Sequence, residues 1–346
     1  MRIVMMGTGT FAEPTFEALL AAKENVVGLV TQPDRDGGNK RGSTRQTGKG
    51  MAAIAADSGV PVIQPQSINT PDGLEQLRAF KPDLLVVAAY GQILKPDVIA
   101  APTHGAINVH ASLLPKYRGA SPIAHAILNG ETRTGVTIIR ITPGLDAGEM
   151  LAQEAVDIGP TETTGELEAR LAPLGARLCL DVVRRMKAGP VSGAKQDPAL
   201  VTKAPKLTKE QGLIDWTQPA ERIANHVRAM QPWPTAYTFF HRPGKEPMRV
   251  IIAAVTIPPW GEWRTNEPFE GRLLREYAIP QPGGGSMTLP IDGRLFVTAG
   301  WLEGRRATTL EILELQPAGK KRMTADEFLR GYPIQDGYRF GPEVLV

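Results

Sequence analysis

Short apolar runs spaced by helix-length segments constrain this chain more than any other feature. The runs lie at residues 2–6, 26–31, 84–88, 105–109 and 135–141, and helix-patterned stretches occupy 12–23, 50–58, 71–80 and 121–128. Strands this short and this continuously apolar are covered on both faces, and parallel neighbours need a long crossover between them. The pattern predicts a Rossmann-like, doubly wound α/β sheet with helices on both sides. A further pair of runs, 135–141 and 150–158, is joined by Thr142-Pro143-Gly144-Leu145-Asp146-Ala147-Gly148 and reads as a hairpin. A long helix over 163–187 closes this part of the chain. After the first run, Gly7-Thr8-Gly9-Thr10-Phe11-Ala12 fits the dinucleotide-binding pattern, with Asp34 near the acidic position that follows the second strand. Any strand–turn–helix start of such a sheet needs a glycine turn, and the mixed charges of Pro33-Asp34-Arg35-Asp36 favour that plainer reading.

At 346 residues the chain exceeds what one core usually serves, since single cores stop growing near ~250–300 residues. We place a first domain at 1–189 and a linker at 190–206, where Pro190, Gly193, Pro198 and Pro205 interrupt any periodic pattern. Beyond it, one helix pattern at 220–230 precedes β-rich runs at 236–240, 248–255, 287–290, 295–299 and 310–315. Short strands broken by Gly and Pro turns predict a compact all-β domain over 207–346, a small OB-like β-barrel. Cys179 is the only cysteine, so an internal disulfide is excluded, which suits a reducing cytosol. It falls on the apolar face of the 163–187 helix and reads as core filler. The start of the chain runs into Gly7 too soon for a signal peptide, and no apolar run approaches the ~18 residues of a membrane span. The expectation is a soluble, cytoplasmic, monomeric protein with no membrane partner. A net charge of +3 permits an anionic partner without indicating one.

Chemistry concentrates in the run 105–109 and the turn behind it. Side chains alternate along a strand, so Asn108 and His110 share one face while Ile107 and Val109 anchor the other. An amide N–H can hold a developing oxyanion, and a neutral imidazole can take a proton near pH 7. That pair suits transfer of an acyl group onto an amine. Asp146, between Gly144 and Gly148, sits in a turn after a strand, where sheets of this class place their sites. Its carboxylate can orient His110, favour the charged imidazole and help drain the amine's proton. Each residue also has a bland reading: Asn108 as a turn residue, His110 as a satisfied core imidazole, Asp146 as a loop cap. Jointly, beside the Pro- and Gly-rich turn 112–119, they favour function. The few histidines and the lone cysteine are too scattered for a metal site.

Asn108-Val109-His110-Ala111-Ser112-Leu113-Leu114-Pro115-Lys116-Tyr117-Arg118-Gly119-Ala120-Ser121-Pro122 resembles the signature of the folate-dependent formyltransferases. Gly144-Leu145-Asp146-Ala147-Gly148 is similar to that family's catalytic aspartate loop. Val30-Thr31-Gln32-Pro33-Asp34-Arg35, Ala89-Tyr90-Gly91-Gln92-Ile93-Leu94, Ile214-Asp215-Trp216 and Met230-Gln231-Pro232-Trp233-Pro234 point to the branch that acts on initiator methionyl-tRNA. The resemblance runs into the second domain. It implies 10-formyltetrahydrofolate as donor and the amino group of methionine on initiator tRNA as acceptor, with no metal. It implies catalytic roles for Asn108, His110 and Asp146. It also implies a pterin against Ala89, Tyr90, Gly91, Gln92 and Ile93 on one side and Ser112, Leu113, Leu114 and Pro115 on the other, with the Asp146 turn as a lid.

Transfer RNA is also suggested by charge. Arg35, Lys40, Arg41, Arg45 and Lys49 face one acid, Asp36, in a glycine-rich stretch, a composition that can follow phosphates. A solvated surface loop has the same composition. The stretch departs from the family: Asn39 stands where a loop arginine is expected, leaving Lys40 or Arg41 as the substitute cation. Lys203, Lys206, Lys209, Lys320, Lys321 and Arg322 make a candidate phosphate-binding stripe, of which Lys206 and Lys209 are the tRNA candidates. Trp216 and Trp233 read as packing residues. Two rivals share these features: a formyltransferase acting on a nucleotide-linked amino sugar, and a non-enzymatic nucleic-acid-binding module. A sugar enzyme has no use for a basic arm, and a binding module has no use for His110.

Overall fold

The apolar runs become strands β1 (Ile3–Gly7), β2 (Val26–Val30), β3 (Val62–Ile63), β4 (Leu84–Ala88), β5 (Ala106–His110), β6 (Arg133–Arg140) and β7 (Met150–Asp157). They form one sheet in the order β3-β2-β1-β4-β5-β6-β7. The computed structural model describes residues 1–33, 48–258, 286–291, 293–299, 308–335 and 338–344. Two compact units emerge, one of Met1–Ala126 with Glu131–Lys206, the other of Ile127–Gly130 with Leu207–Val346.

In the first unit β1 and β4 are buried at every position, as strands covered on both faces must be. The five strands β3, β2, β1, β4 and β5 run parallel. β6 runs antiparallel to both β5 and β7, which corrects the expectation of a parallel sheet at this edge. The predicted hairpin requires one of its members to oppose the sheet, and β6 is the one that reverses. Neither β3 nor the four-residue helix α4 (Pro96–Ile99) was legible, because elements so short show no period. The other helices of this unit, α1 (Glu13–Ala21), α2 (Met51–Asp57), α3 (Pro71–Ala79) and α5 (Pro122–Leu128), fall within or beside their predicted stretches.

The long helix α6 (Thr164–Ala188) opens with a reciprocal cap: Glu166 N–H donates to Thr163 Oγ1 at 3.3 Å, and Thr163 N–H donates to the Glu166 carboxylate at 2.9 Å. It lies against the back of β5 so closely that a Cβ on Gly175 would come within 2.6 Å of the Val109 side chain. That contact seats the strand that carries Asn108 and His110 from behind. Cys179, on the same helix, is fully buried, and burial pushes its thiol up to about 12. It fills core, as its apolar surroundings predicted. No helix of the described residues is long and apolar enough to cross a membrane.

The second unit is antiparallel: β8 (Tyr237–His241), β9 (Met248–Thr256), β10 (Ser286–Ile291), β11 (Arg294–Ala299), β12 (Thr308–Pro317), β13 (Met323–Thr324) and β14 (Arg339–Gly341). Their order is β11-β10-β14-β8-β9-β12-β13, and a further pairing of β11 with β12 brings the sheet back onto itself. Closure of that kind satisfies the strand edges and matches an OB-like barrel. Helix α7 (Ala220–Ala229) precedes the strands, and α8 (Ala325–Gly331) supplies Phe328 to an aromatic core with Phe240 and Phe340. Trp216 is buried against Phe340, and its indole N–H donates to Thr238 Oγ1 at 2.9 Å, as a packing residue should.

His226, on α7, donates from Nε2 to the Gln211 carbonyl at 2.8 Å. Burial holds its imidazole below the ordinary histidine range, against the opposing pull of that carbonyl and of Asp215. An unfolded chain takes up this proton near pH 6.5 while the folded one resists it. Stability therefore falls as pH drops through 6.5, until the folded value is reached. We expect the thermal midpoint of the second unit to fall between pH 7.5 and 5.5. In His226→Gln, which keeps the donor, that fall should be smaller; calorimetry at the two pH values checks it.

Candidate active site

Asn108 and His110 occupy the last turn of pleat in β5, with Val87 and Ile139 flanking Asn108 on the neighbouring strands. Ile107 and Val109 are buried on the opposite face, as alternation predicts. Asn108 is half-buried, and its side-chain amide has no hydrogen-bond partner among the described residues. His110 is only 4% exposed. Its Nε2 lies 3.0 Å from the Tyr117 carbonyl oxygen, which can only accept, so Nε2 carries the proton. Nδ1 is then the ring nitrogen with the open lone pair, and it lies 3.7 Å from Asp146 Oδ2. That distance is a charge contact and not a hydrogen bond.

Asp146 reaches this position through an unusual backbone. Its φ is +46°, in the left-handed region that Asp tolerates better than most residues. Oδ2 accepts the Gly119 N–H at 2.8 Å. Gly148 permits the turn to close, since a Cβ there would lie 1.8 Å from the Arg140 carbonyl oxygen. Two residues distant in sequence, on β5 and on the β6–β7 turn, thus meet over the segment Tyr117-Arg118-Gly119.

The turn behind β5 is tied down from several sides. Thr137 on β6 donates to the Ser112 carbonyl at 2.6 Å and accepts from Leu114 N at 3.2 Å and from Gln153 Nε2 at 2.8 Å. Ser112 donates its hydroxyl to the Lys116 carbonyl at 2.7 Å, and Leu114 is buried. Those two side chains therefore belong to the turn, and Leu113 and Pro115 are the half-exposed members. On the other side, Tyr90 packs into the core with Val4, Met6 and Leu85. Its phenol is pushed up to about 12 by burial. Gln92 spends its amide on the Ile68 N–H and the Gln66 carbonyl. What this side offers a ligand is backbone, turned outward by the left-handed Ala89 and Gly91, together with the 74% exposed side chain of Ile93. A flat ring with polar edges fits such a lining: exposed peptide groups and an apolar contact, with few free side-chain polar groups.

Of the residues proposed for tRNA, Lys49 is ion-paired with Asp57 at 2.6 Å, and that partner raises its amine above the usual lysine range. Lys206 and Lys209 are exposed and lie in different units. Arg35, Lys40, Arg41 and Arg45 lie outside the described residues, as do Asp34, Asp36 and Asn39. Arg322 pairs with Glu314, while Lys320 and Lys321 beside it are exposed. Among the described residues no group of three His, Cys, Asp or Glu is placed to hold a metal ion.

Sequence reasoning missed Thr137, Gln153 and Gln196. The first two sit at ordinary alternating positions of a hairpin, and Gln196 sits in the stretch read from its prolines as a linker. That stretch is hydrogen-bonded into the first unit: Arg118 N–H donates to the Thr202 carbonyl at 2.9 Å, Ala204 N–H to the Arg118 carbonyl at 2.7 Å, and Tyr117 N–H to Thr202 Oγ1 at 2.8 Å. Backbone pairing of this kind leaves no periodic trace in side-chain chemistry.

Comparison with known proteins extends these observations to the whole chain. Residues 1–183 match the family model described as "Formyl transferase", and residues 206–333 match "Formyl transferase, C-terminal domain". Methionyl-tRNA formyltransferase of Geobacter sulfurreducens is 40% identical over 341 residues, covering 99% of this chain and 97% of the relative. Its counterpart from Geobacillus thermodenitrificans is 41% identical over 333 residues, covering 95% and 93%. Among solved structures, a sugar 3N-formyl transferase crystallised in the presence of dTDP and 5-N-formyl-THF superposes with a TM-score of 0.61 at 16% identity. It covers 93% of this chain and 99% of its own. HypX from Aquifex aeolicus in complex with tetrahydrofolic acid gives a TM-score of 0.57 at 14% identity, over 95% of this chain and 46% of its own. At such identities the structures are alike in fold alone.

Proposed function

The chain belongs to the formyl transferase family, and from that premise we propose that it moves the formyl group of 10-formyltetrahydrofolate onto the amino group of methionine carried by initiator tRNA. One observation carries the choice of acceptor: relatives named methionyl-tRNA formyltransferase match both units at about 40% identity over nearly their full lengths. The sugar-acting neighbours share far less sequence. A role in translation initiation places the protein in the cytoplasm.

The folate donor supplies the formyl carbon, and the described residues account for what must happen around it. The Asn108 amide, free of internal partners, is available to the oxygen on which negative charge develops as the amine attacks. Unprotonated Nδ1 of His110 takes the proton that the amine must shed. The positive charge so formed lies beside the Asp146 carboxylate, 3.7 Å away, and is discharged when the same proton passes to the folate nitrogen as its bond to the formyl carbon breaks and tetrahydrofolate leaves. The Tyr117 carbonyl holds the ring in the tautomer that keeps Nδ1 vacant. An aminoacyl ester's amine needs no stronger base, being far less basic than a lysine. The backbone of Ala89 and Gly91, with Ile93, Leu113 and Pro115, forms the proposed pterin walls. Arg35, Lys40, Arg41, Arg45, Lys49, Lys206 and Lys209 are the proposed tRNA contacts.

Radiolabelled formyl transfer by the purified full chain tests the reading. Label should pass to charged initiator tRNA and not to a UDP-linked amino sugar. Label on the sugar alone would reassign the acceptor, and tRNA binding without any transfer would favour a binding module.

A further inference from the structure

The Asp146 turn is held from the 190–206 stretch. Gln196 Nε2 donates to the Asp146 carbonyl at 2.7 Å and to the Gly148 carbonyl at 2.8 Å. Its Oε1 accepts from Arg118 Nε at 3.1 Å and from Nη2 at 2.8 Å. Both donors and both acceptor directions of the amide are thereby used. The orientation is unambiguous, because a flipped amide would set oxygen against two carbonyls and N–H groups against a guanidinium. Arg118 itself is pinned through its backbone, N–H to Thr202 and carbonyl to Ala204.

The three residues of Tyr117-Arg118-Gly119 consequently grip the reacting pair at three points. The Tyr117 carbonyl takes Nε2–H of His110, the Gly119 N–H takes the Asp146 carboxylate, and the Arg118 guanidinium reaches the Asp146 backbone through Gln196. A non-glycine residue at φ +46° is held there only when its surroundings over-determine it. The bond from Gly119 fixes the carboxylate. Within the turn the Ala147 N–H donates to the Gly144 carbonyl at 3.3 Å, and Gln196, bridging the carbonyls on either side of Ala147, ties the peptide frame from which that carboxylate projects to the neighbouring segment. We infer that Gln196 is a positioning residue for the formyl transfer proposed above: it locks the Asp146 turn against the His110 turn by way of Arg118, and so sets the distance between the carboxylate and Nδ1. It touches neither reacting group.

The inference rests on the formyl-transfer reading, and its test has one readout that does not. Amide exchange over 144–148 should accelerate at least about tenfold in Gln196→Ala, while exchange in β6 and β7 stays as in the wild type. Gln196→Met, which keeps the bulk and loses the donors, should do the same, and thermal midpoints identify any variant that merely fails to fold. In steady-state kinetics, Gln196→Ala should lower kcat about tenfold or more and change KM for the folate donor by less than about twofold. In an Asp146→Asn background the same substitution should change kcat by less than about twofold, since it acts through that carboxylate. Unaltered exchange over 144–148 overturns the inference, and so does an equal loss in both backgrounds. A wild-type chain that transfers no formyl group defeats the functional reading, and the exchange result then decides on Gln196 alone.

Discussion

Replacing Asn108 or His110 by Ala lowers formyl transfer to initiator methionyl-tRNA at least about a hundredfold, with tRNA affinity little changed. The two losses have different causes. Asn108→Ala removes a donor that no internal group uses, so the fold loses nothing and the charge developing on the formyl oxygen loses its partner. Single oxyanion donors are worth about 10²–10³ in turnover. His110→Ala removes the group whose ring nitrogen is both held in one tautomer and left able to accept a proton. It also leaves the Asp146 carboxylate with the Gly119 N–H alone. Because the two residues serve one transition state, the double variant should fall little below the worse single one. Single-turnover transfer of labelled formyl groups, set beside filter binding of the tRNA, separates the chemical step from affinity. Near-normal turnover in both single variants would end the mechanism.

Phe240→Ala should produce the largest loss of stability, about 3–5 kcal/mol, the usual range for emptying a buried aromatic site. Phe240 is fully buried on β8. Its ring centroid lies 5.4 Å from that of Phe328, 5.6 Å from Tyr338 and 5.2 Å from Phe340. The Arg242 guanidinium sits over the same ring at 5.9 Å. Few groups remain to collapse into the space, because Phe328 and Tyr332 are already stacked on each other at 4.8 Å. For a unit of this size the thermal midpoint should fall by roughly ten degrees. Between the lowered midpoint and that of the wild type, folate binding by the first unit should persist while tRNA affinity drops. A fall of only a degree or two would show that the barrel does not depend on this ring cluster.

Strand and helix positions were legible because burial on two faces leaves a period or an unbroken apolar run. β4 lies where its run lies, and α6, read as a helix over 163–187, spans Thr164–Ala188. The alternation along β5 separates Asn108 and His110 from Ile107 and Val109 without any knowledge of the fold. Asp146 was legible as a carboxylate in a glycine turn. By itself the sequence therefore determined which segments are strands, which residue types face one another along them, and which family the chain resembles.

The tertiary structure alone decided how those pieces meet. It reversed β6, so that the turn carrying Asp146 returns to the end of β5. It chose the proton's place on His110 through the Tyr117 carbonyl, and it turned Tyr90 and Gln92 inward, leaving backbone and Ile93 for a ligand. It made 190–206 a brace, with Gln196 at the Asp146 turn. These rest on pairings, packing and hydrogen bonds between separate segments of the chain. A period records what a segment does with its own neighbours, and a contact made once, across tens of residues, repeats nowhere along the sequence.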